Sequence, residues 1–154
     1  MNARSQEVTY RIAQLEDVEA VYQFEFHQTS IETDNEYDQM MAVWNSSFRK
    51  ESLEHYFKLG WSFLAFDKNN NIVGFFLGQP LLFFDQQTQS LWIEHVSSIH
   101  PSISTGLVDL AFRLSREKHF QRVLVSENIQ KLNLEKVFPF QKWERSVQFL
   151  KTTK

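Results

Sequence analysis

The longest apolar run in the chain, IVGFFLGQPLLFF at Ile72–Phe84, sets the strongest limit on the fold. Polar segments that favour turns flank this run, with Lys68–Asn71 before it and Asp85–Gln89 after it. The run is too short to cross a bilayer as a helix, and Gly78 and Pro80 interrupt it. We therefore predict a β-strand with a bulge or bend at Gly78 or Pro80.

Hydrophobic periodicity extends this strand into a sheet with helices around it. The other predicted strands are Val8–Ala13, Trp61–Asp67, Ser90–His100, Gln121–Ser126 and Trp143–Lys151. Helices are predicted from Asp17, as N-cap, to Gln28, and at Ser47–Leu59, Thr105–Phe120 and Asn128–Phe138. Because a helix joins Ser90–His100 to Gln121–Ser126, these two strands are expected to run parallel.

The element order predicts a fold of the mixed α/β (α+β) class, with a mostly antiparallel sheet flanked by helices. The sequence contains no internal repeat, no low-complexity segment and no linker rich in proline or glycine. One domain over residues 1–154 is therefore expected.

Composition excludes several classes of function. The chain has no cysteine, which rules out thiolate catalysis and cysteine-ligated metal sites, and no metal is expected. A net charge of −3 argues against nucleic-acid binding. The first residues carry no apolar signal and no segment is long enough to span a bilayer, so we expect a cytoplasmic protein that does not associate with membranes.

Charge is distributed unevenly along the chain. The first 60 residues hold 11 acidic and 5 basic residues, and the rest hold 8 acidic and 11 basic residues. One acidic segment contains Glu25, Glu32, Asp34, Glu36 and Asp38. It is interpreted either as a solvated surface or as an acidic lip for a cationic substrate, beside a basic half that receives an anion.

The stretch IHPSISTGLVDLAF, Ile99–Phe112, joins a predicted strand to a predicted helix through small hydroxyl residues and one glycine. A helix N-terminus offers unpaired N–H groups and the positive end of the helix dipole, which together attract anions. The turn is therefore a candidate phosphate site, to which Ser102, Ser104 and Thr105 could add hydroxyl donors. The alternative is that Ser104 or Thr105 merely caps the helix.

Three stretches carry a resemblance to a known family. They are YRIAQLEDVEAVYQF near the N-terminus, IEHVSSIHPSISTGLVDLAF in the centre, and Asn128 standing 11 residues before Pro139-Phe140. In these stretches and in its element order, the chain resembles the GNAT superfamily of N-acetyltransferases over nearly its whole length. The resemblance implies a GNAT-like acyl-CoA N-acyltransferase fold and an acyl transfer from acetyl-CoA, or another acyl-CoA, to an amine.

The same resemblance implies a set of residues that bind the co-substrate. They are Ser98, Ile99, Ser104, Thr105, Gly106, Leu107 and Asn128. The backbone around Ser98 and Ile99 would hold the pantetheine and polarise the thioester carbonyl. The acceptor would be a small-molecule or protein amine, and the acidic segment favours a cationic one. A monomer and a homodimer both remain open.

Acyl transfer to an amine requires a neutral amine, so a general base assists the reaction. Glu94 and His95 lie mid-strand, where several members of the family carry such a base. Because side chains alternate along a strand, only one of the two can face the cleft unless a bulge shifts the alternation. The alternative is that each is an ordinary strand residue on the surface or in a hydrogen bond.

Two other functions compete with the enzyme. The first is a non-catalytic GNAT-fold domain that acts as an acyl-CoA-binding sensor or a protein-interaction module. It is motivated by Ile103 and Val108, which replace the Arg/Gln and second Gly of the family motif Q/R-x-x-G-x-G/A, and by Glu135, which replaces the usual tyrosine acid. The second is an unrelated α/β domain that oligomerises through an aromatic-rich surface. A pair of parallel strands that part after His100 would exclude it.

Overall fold

The computed structural model describes residues 7–31, 49–126, 134–143, 145 and 147–152. Its strands are β1 Thr9–Ile12, β2 Phe63–Phe66, β3 Ile72–Phe84, β4 Gln87–Ser98 and β5 Arg122–Val125. Its α-helices are α1 Val18–Ile31, α2 Lys50–Lys58 and α3 Pro101–Glu117. Single 3-10 turns lie at Leu15–Asp17 and Leu134–Lys136.

The five strands form one sheet in the order β1-β2-β3-β4-β5. The first four strands pair antiparallel with their neighbours, and β5 pairs parallel with β4. The long hairpin between β3 and β4 turns at Asp85 and Gln86, which both have positive φ, as tight hairpin turns require. This confirms the predicted fold class, a mixed and mostly antiparallel sheet flanked by helices.

The two faces of the sheet are covered by different helices. On one face, α3 buries Ile103, Leu107 and Ala111 against apolar residues of β3 and β4. On the other face, α1 and α2 bury Val21, Leu53 and Phe57 against Phe75 and other residues of β2 and β3. Each large apolar side chain buried in this way contributes roughly 1.5–3 kcal/mol, so both faces help to stabilise the sheet.

The pairing register of β3 with β4 shifts between Leu77 and Gly78, where a bulge in β3 was expected, but the extra residue lies in β4 and β3 itself is continuous. A Cβ at Gly78 would collide with the backbone carbonyl of Trp61. The close approach of the backbone at Trp61 to β3 therefore requires glycine at position 78. The Gly78 amide donates to the buried Ser62 hydroxyl at 3.1 Å, which satisfies an N–H group beside the bulge.

Three predicted elements differ from the structure. Asp17 does not cap α1, because it lies in the preceding 3-10 turn and accepts the Gln14 amide and the Arg11 guanidinium. The helix predicted to begin at Thr105 begins at Pro101, since His100 supplies the cap and proline suits the first helical position. The predicted start of α2 at Ser47 lies outside the described residues.

The C-terminal part also departs from the prediction. The strand predicted at Trp143–Lys151 is wrong for the residues the structure describes there, which belong to no strand. Their apolar side chains Val147, Phe149 and Leu150 are exposed, because an alternating pattern does not create a neighbouring strand to pair with. Of the helix predicted at Asn128–Phe138, residues 128–133 are not described and Leu134–Lys136 forms a 3-10 turn. No helix in the described part has the length and apolar character needed to cross a membrane.

Candidate functional site

The strands β4 and β5 share only part of their length. Their parallel pairing runs from Ser90 and Arg122 to Ile93 and Val125, whereas β4 continues to Ser98. Beyond Ile93, the edge of β4 therefore has no β5 partner among the described residues. An open strand edge of this kind presents backbone N–H and C=O groups to a ligand.

A bulge in β4 lies where the shared pairing ends. Leu77 of β3 pairs with His95 and Gly78 pairs with Ile93, so Glu94 is the extra residue of β4. On either side of the bulge, Ile93 and Val96 are both buried against the α3 face. The extra residue changes the alternation, and Glu94 and His95 both lie toward α1 and α2. The structure therefore brings the two predicted bases together on one face.

Glu94 accepts a hydrogen bond from the indole Nε1 of Trp92 at 2.6 Å. The same carboxylate lies close enough to Tyr56 of α2 to act on it electrostatically. Burial, and after it the charge of Glu94, raise the pKa of Tyr56 above its ordinary value. Tyr56 therefore stays protonated near neutral pH, and its hydroxyl can donate a hydrogen bond on this face.

His95 contacts α1 and β3. Its Nε2 atom lies 3.5 Å from Oε1 of Glu25, and its ring centroid lies 5.6 Å from that of Phe75. Glu25 is only 7% exposed, and its second oxygen, Oε2, is buried with no hydrogen-bond partner in the described part of the chain. The carboxylate and the imidazole thus approach each other at 3.5 Å without a hydrogen bond between them.

Glu25 was placed by the sequence in an acidic segment that was interpreted as a solvated surface or an acidic lip. Its burial corrects the solvated-surface interpretation for this residue, while Glu32, Asp34, Glu36 and Asp38 lie outside the described residues. The signal that could have identified Glu25 is its position, since it continues the helical spacing of Val18 and Val21. A carboxylate on the apolar stripe of a helix indicates a partner inside the fold.

The predicted phosphate turn is the first part of helix α3. Pro101 has no N–H, and the Ser102 amide donates to Nδ1 of His100 at 3.1 Å. The amides of Ile103 and Ser104 donate to the His100 carbonyl at 3.0 and 3.4 Å. The first N–H groups of the helix are therefore engaged within the protein, and an anion could use them only after the His100 cap opens.

Most residues predicted to contact the phosphates make hydrogen bonds or packing contacts within the protein. Ser104 is buried, and its hydroxyl lies 2.6 Å from that of Ser98, while the Thr105 hydroxyl donates to the Pro101 carbonyl at 3.1 Å. Gly106 faces the Tyr10 hydroxyl, which a Cβ would contact too closely, and Leu107 is fully buried. These contacts give each residue a structural role, and their part in co-substrate binding stays a prediction.

The two remaining predicted contacts are on the β4 edge. The Ile99 amide donates to the Val73 carbonyl at 3.0 Å, so it belongs to the sheet. Because backbone groups alternate sides along a strand, those of Ser98 point to the opposite side, at the open edge. Asn128 lies outside the described residues.

A separate cavity of about 900 Å³ lies between α3, β5 and the C-terminal segment. Asp85, in the β3–β4 turn, lines it and accepts bonds from Trp143, Arg122 and Arg145 at 2.8–3.0 Å. The Trp143 hydrogen bond, together with the two guanidinium groups, lowers the pKa of Asp85. No cluster of three potential metal ligands occurs among the described residues.

Comparisons with known proteins place the fold. No protein-family model and no curated protein sequence matches the chain. Solved structures do match. An aminoglycoside N-acetyltransferase AAC(6')-Iy in complex with CoA has a TM-score of 0.65 at 12% identity, over 99% of this chain and 100% of that chain. The PaiA N-acetyltransferase of Thermoplasma acidophilum, in complex with coenzyme A, has a TM-score of 0.63 at 13% identity, over 85% and 87% of the two chains.

A third match is an aminoglycoside acetyltransferase from an uncultured soil metagenomic sample. It has a TM-score of 0.64 at 17% identity, over 96% of this chain and 97% of that chain. These similarities show that the chain has the GNAT-type N-acetyltransferase fold that its sequence resembles. At such identities they establish the fold alone, and the chemistry has to be argued from this chain's own residues.

Proposed function

We propose that the protein is an acyl-CoA-dependent N-acyltransferase that moves an acyl group, in the first place acetyl, from a CoA thioester to an amine. The observation that carries the proposal is the bulge at Glu94. It puts Glu94 and His95 on one face, directly beside the edge where β4 continues past β5. A base next to an open strand edge can take the amine proton beside a thioester bound at that edge, which supports transfer to an amine.

The reaction uses this arrangement as follows. The lone pair of the neutral amine attacks the thioester carbonyl carbon and forms the C–N bond. Glu94 or His95 takes the amine proton as this bond forms, and the C–S bond breaks with its electron pair on the sulfur. The thiolate is a stable leaving group, so the absence of a tyrosine at position 135 is compatible with turnover.

Two parts of the protein are proposed to bind the co-substrate: the open edge of β4 and the N-terminus of α3. The backbone of Ser98 at the open edge of β4 can hydrogen-bond the pantetheine amides and the thioester carbonyl. The pyrophosphate would lie at the start of α3 near Ser104, Thr105 and Gly106. Its binding there requires His100 to release the Ser102 amide, after which the N–H groups and the helix dipole can receive the phosphates. Ile99, Leu107 and Asn128 remain proposed contacts of the bound CoA.

The acceptor is proposed to be a cationic amine, either a small molecule or a protein amine. Two carboxylates, Glu25 and Glu94, lie on the face that carries His95. A negative face attracts an ammonium group and repels an acceptor with its own carboxylate. Two of the matched structures are described as aminoglycoside acetyltransferases, and this agrees with an amine acceptor in general terms.

The proposal is tested by titrating the protein with acetyl-CoA and by mass spectrometry of an amine panel after incubation with protein and acetyl-CoA. The expected result is heat of binding together with an acetylated amine. Failure to bind acetyl-CoA or CoA at millimolar concentration would contradict the proposal.

A second candidate function, an acyl-CoA-binding sensor or protein-interaction module without catalysis, is favoured by one observation. The first N–H groups of α3 are engaged by His100, which suits a domain that has kept the scaffold and changed the phosphate site. CoA binding without an acetylated product from any amine would favour this function over the enzyme.

A further inference from the structure

Trp92 and Glu94 are joined by a hydrogen bond on the face of the sheet that α1 and α2 cover. Leu91 and Ile93 are buried under α3, so the alternate residue Trp92 lies on the opposite face. Its indole Nε1 donates to Oε2 of Glu94 at 2.6 Å in a part-buried position. A bond from an N–H to a carboxylate is charge-assisted and stronger than one between neutral groups.

The donor in this bond is held more firmly than the acceptor. The backbone of Trp92 pairs with Gln79 of β3 and with Leu124 of β5. Glu94 is the extra residue of the bulge and has no partner in β3 or in the described part of β5. A glutamate held in advance by an anchored indole loses less rotamer freedom when a ligand binds to it.

The second oxygen of Glu94 is open to solvent. No described residue donates a hydrogen bond to Oε1, and the buried side-chain atoms that lack a hydrogen bond do not include it. Glu94 is half-buried, whereas Glu25, the other carboxylate on this face, is only 7% exposed. Glu94 is therefore the carboxylate that an amine entering from solvent reaches more easily.

The charge of Glu94 is also uncompensated by an ion pair. None of the ion pairs among the described residues includes it. Tyr56 of α2 lies near this carboxylate and stays uncharged, because burial, and after it the charge of Glu94, raise the pKa of Tyr56. A half-buried carboxylate with one oxygen held and the other unoccupied can bind a cationic group from outside.

We propose that Trp92 is a positioning residue for Glu94 in the N-acyl transfer. Trp92 holds Oε2, while Oε1 accepts an N–H of the cationic acceptor and keeps the amine beside the edge where β4 continues past β5. The proposal rests on the proposed function and names the group that receives its acceptor. An amine held in this way has less freedom to lose in the attack on the thioester, so the benefit appears in kcat/KM for the amine.

The binding part is tested without acetyl-CoA. The indole ¹H–¹⁵N signal of Trp92 is assigned through triple-resonance spectra, and the protein is titrated with 1,4-diaminobutane. We expect the diamine to move this signal saturably in the wild type and not in Glu94→Ala, which removes the carboxylate. A signal that the diamine leaves in place, or moves equally in Glu94→Ala, would overturn the proposal.

The kinetic part uses Trp92→Phe, which keeps an aromatic ring and removes the N–H. We expect kcat/KM for the amine to fall by about 10-fold with KM for acetyl-CoA unchanged. In a Glu94→Ala background, Trp92→Phe should cost almost nothing, because the two residues act as a unit. Equal losses in both backgrounds would show that the indole acts independently of Glu94.

Trp143→Phe is the matched control. The Trp143 indole also donates to a carboxylate, that of Asp85 in the β3–β4 turn, at 2.8 Å. Its loss removes the same kind of bond at a separate place and should leave both kinetic constants unchanged. If Trp92→Phe does not fold, the diamine titration of the wild type and Glu94→Ala still decides the proposal.

The two parts fail in distinguishable ways. If the wild type acetylates no amine but the diamine moves the Trp92 signal through Glu94, the proposed function fails and the binding role of the pair stands. If amines are acetylated but Trp92→Phe turns over at the wild-type rate, the proposed function stands and the positioning role of Trp92 is refuted.

Discussion

The Nδ1 atom of His100 accepts the backbone N–H of Ser102 at 3.1 Å and so caps helix α3. Pro101, between them, has no N–H to satisfy and presets the backbone for the first turn. The cap therefore begins a 17-residue helix where the sequence, with its serines, threonine and glycine, resembles a phosphate-binding loop.

The first prediction concerns this cap. His100→Ala removes the acceptor of the Ser102 amide, and the free energy of unfolding should fall by about 0.5–2 kcal/mol. Urea denaturation followed by circular dichroism measures the change. Glu117→Ala, at the exposed far end of the same helix, is the control and should change stability little. An unchanged midpoint in His100→Ala would show that the cap contributes nothing to stability.

The second prediction concerns the packing of Gly106 against the Tyr10 hydroxyl. A Cβ there would press on the Tyr10 hydroxyl, whereas alanine elsewhere in a helix gains about 1 kcal/mol over glycine. Gly106→Ala should therefore change the free energy of unfolding less favourably in the wild type than in the Tyr10→Phe variant, where the hydroxyl is absent. Thermal unfolding of the four proteins of this cycle measures the difference, which we expect to be about 1 kcal/mol. Equal effects in both backgrounds would contradict this packing role of Gly106.

The third prediction concerns pH and Asp85. Its pKa is lowered by the Trp143 hydrogen bond and by Arg122 and Arg145, so the carboxylate stabilises the fold above its unfolded pKa. This contribution is lost as the pH falls through the lowered pKa of the folded state. Asp85→Asn should thus be less stable than the wild type at neutral pH, and the gap should narrow below about pH 4. Glu117→Gln serves as the control, and a gap that is constant with pH would exclude the mechanism.

The fourth prediction concerns the acceptor. Because Glu25 and Glu94 share the face of His95, an amine with a second positive charge should have a lower KM than an amine of similar size that carries a carboxylate. Added salt should raise the KM of the cationic amine, since ions at 0.1 M screen a partly exposed carboxylate such as Glu94 over about 10 Å, whereas the buried Glu25 is screened less. Initial rates across the two amines and several salt concentrations test this. A preference for the carboxylate-bearing amine would refute the assigned polarity of the face.

Much of the sheet was predictable because turns and strands have local signals. Asn70, with positive φ, stands in the predicted turn before β3, and glycine marks the register shift at Gly78. A bulge in β4 near Glu94 and His95 was raised as a possibility but could not be assigned, because its position depends on the register between two strands. Register is a long-range property that neither strand encodes alone.

The candidate site was predictable to a smaller extent. Glu94 and His95 could be chosen from their position in the chain, while the pairing of His95 with Glu25 joins residues 70 positions apart. The start of α3 was predicted at Thr105 and not at Pro101, because Ser102 and Ser104 have low helix propensity and favour a turn. Tertiary packing prevails there, since Ser104 is buried against Ser98 and Gly106 admits Tyr10.

Turnover at the β4 bulge is the central claim for this protein. The decisive measurement is the initial rate of CoA thiol release from acetyl-CoA with a cationic amine, compared between the wild type, His95→Gln and a His119→Gln control on the exposed turn after α3. We expect a rate that depends on the amine, falls by about 10²- to 10⁴-fold in His95→Gln and is retained in His119→Gln. A rate that His95→Gln leaves unchanged would show that the residues at the bulge do not carry out the transfer.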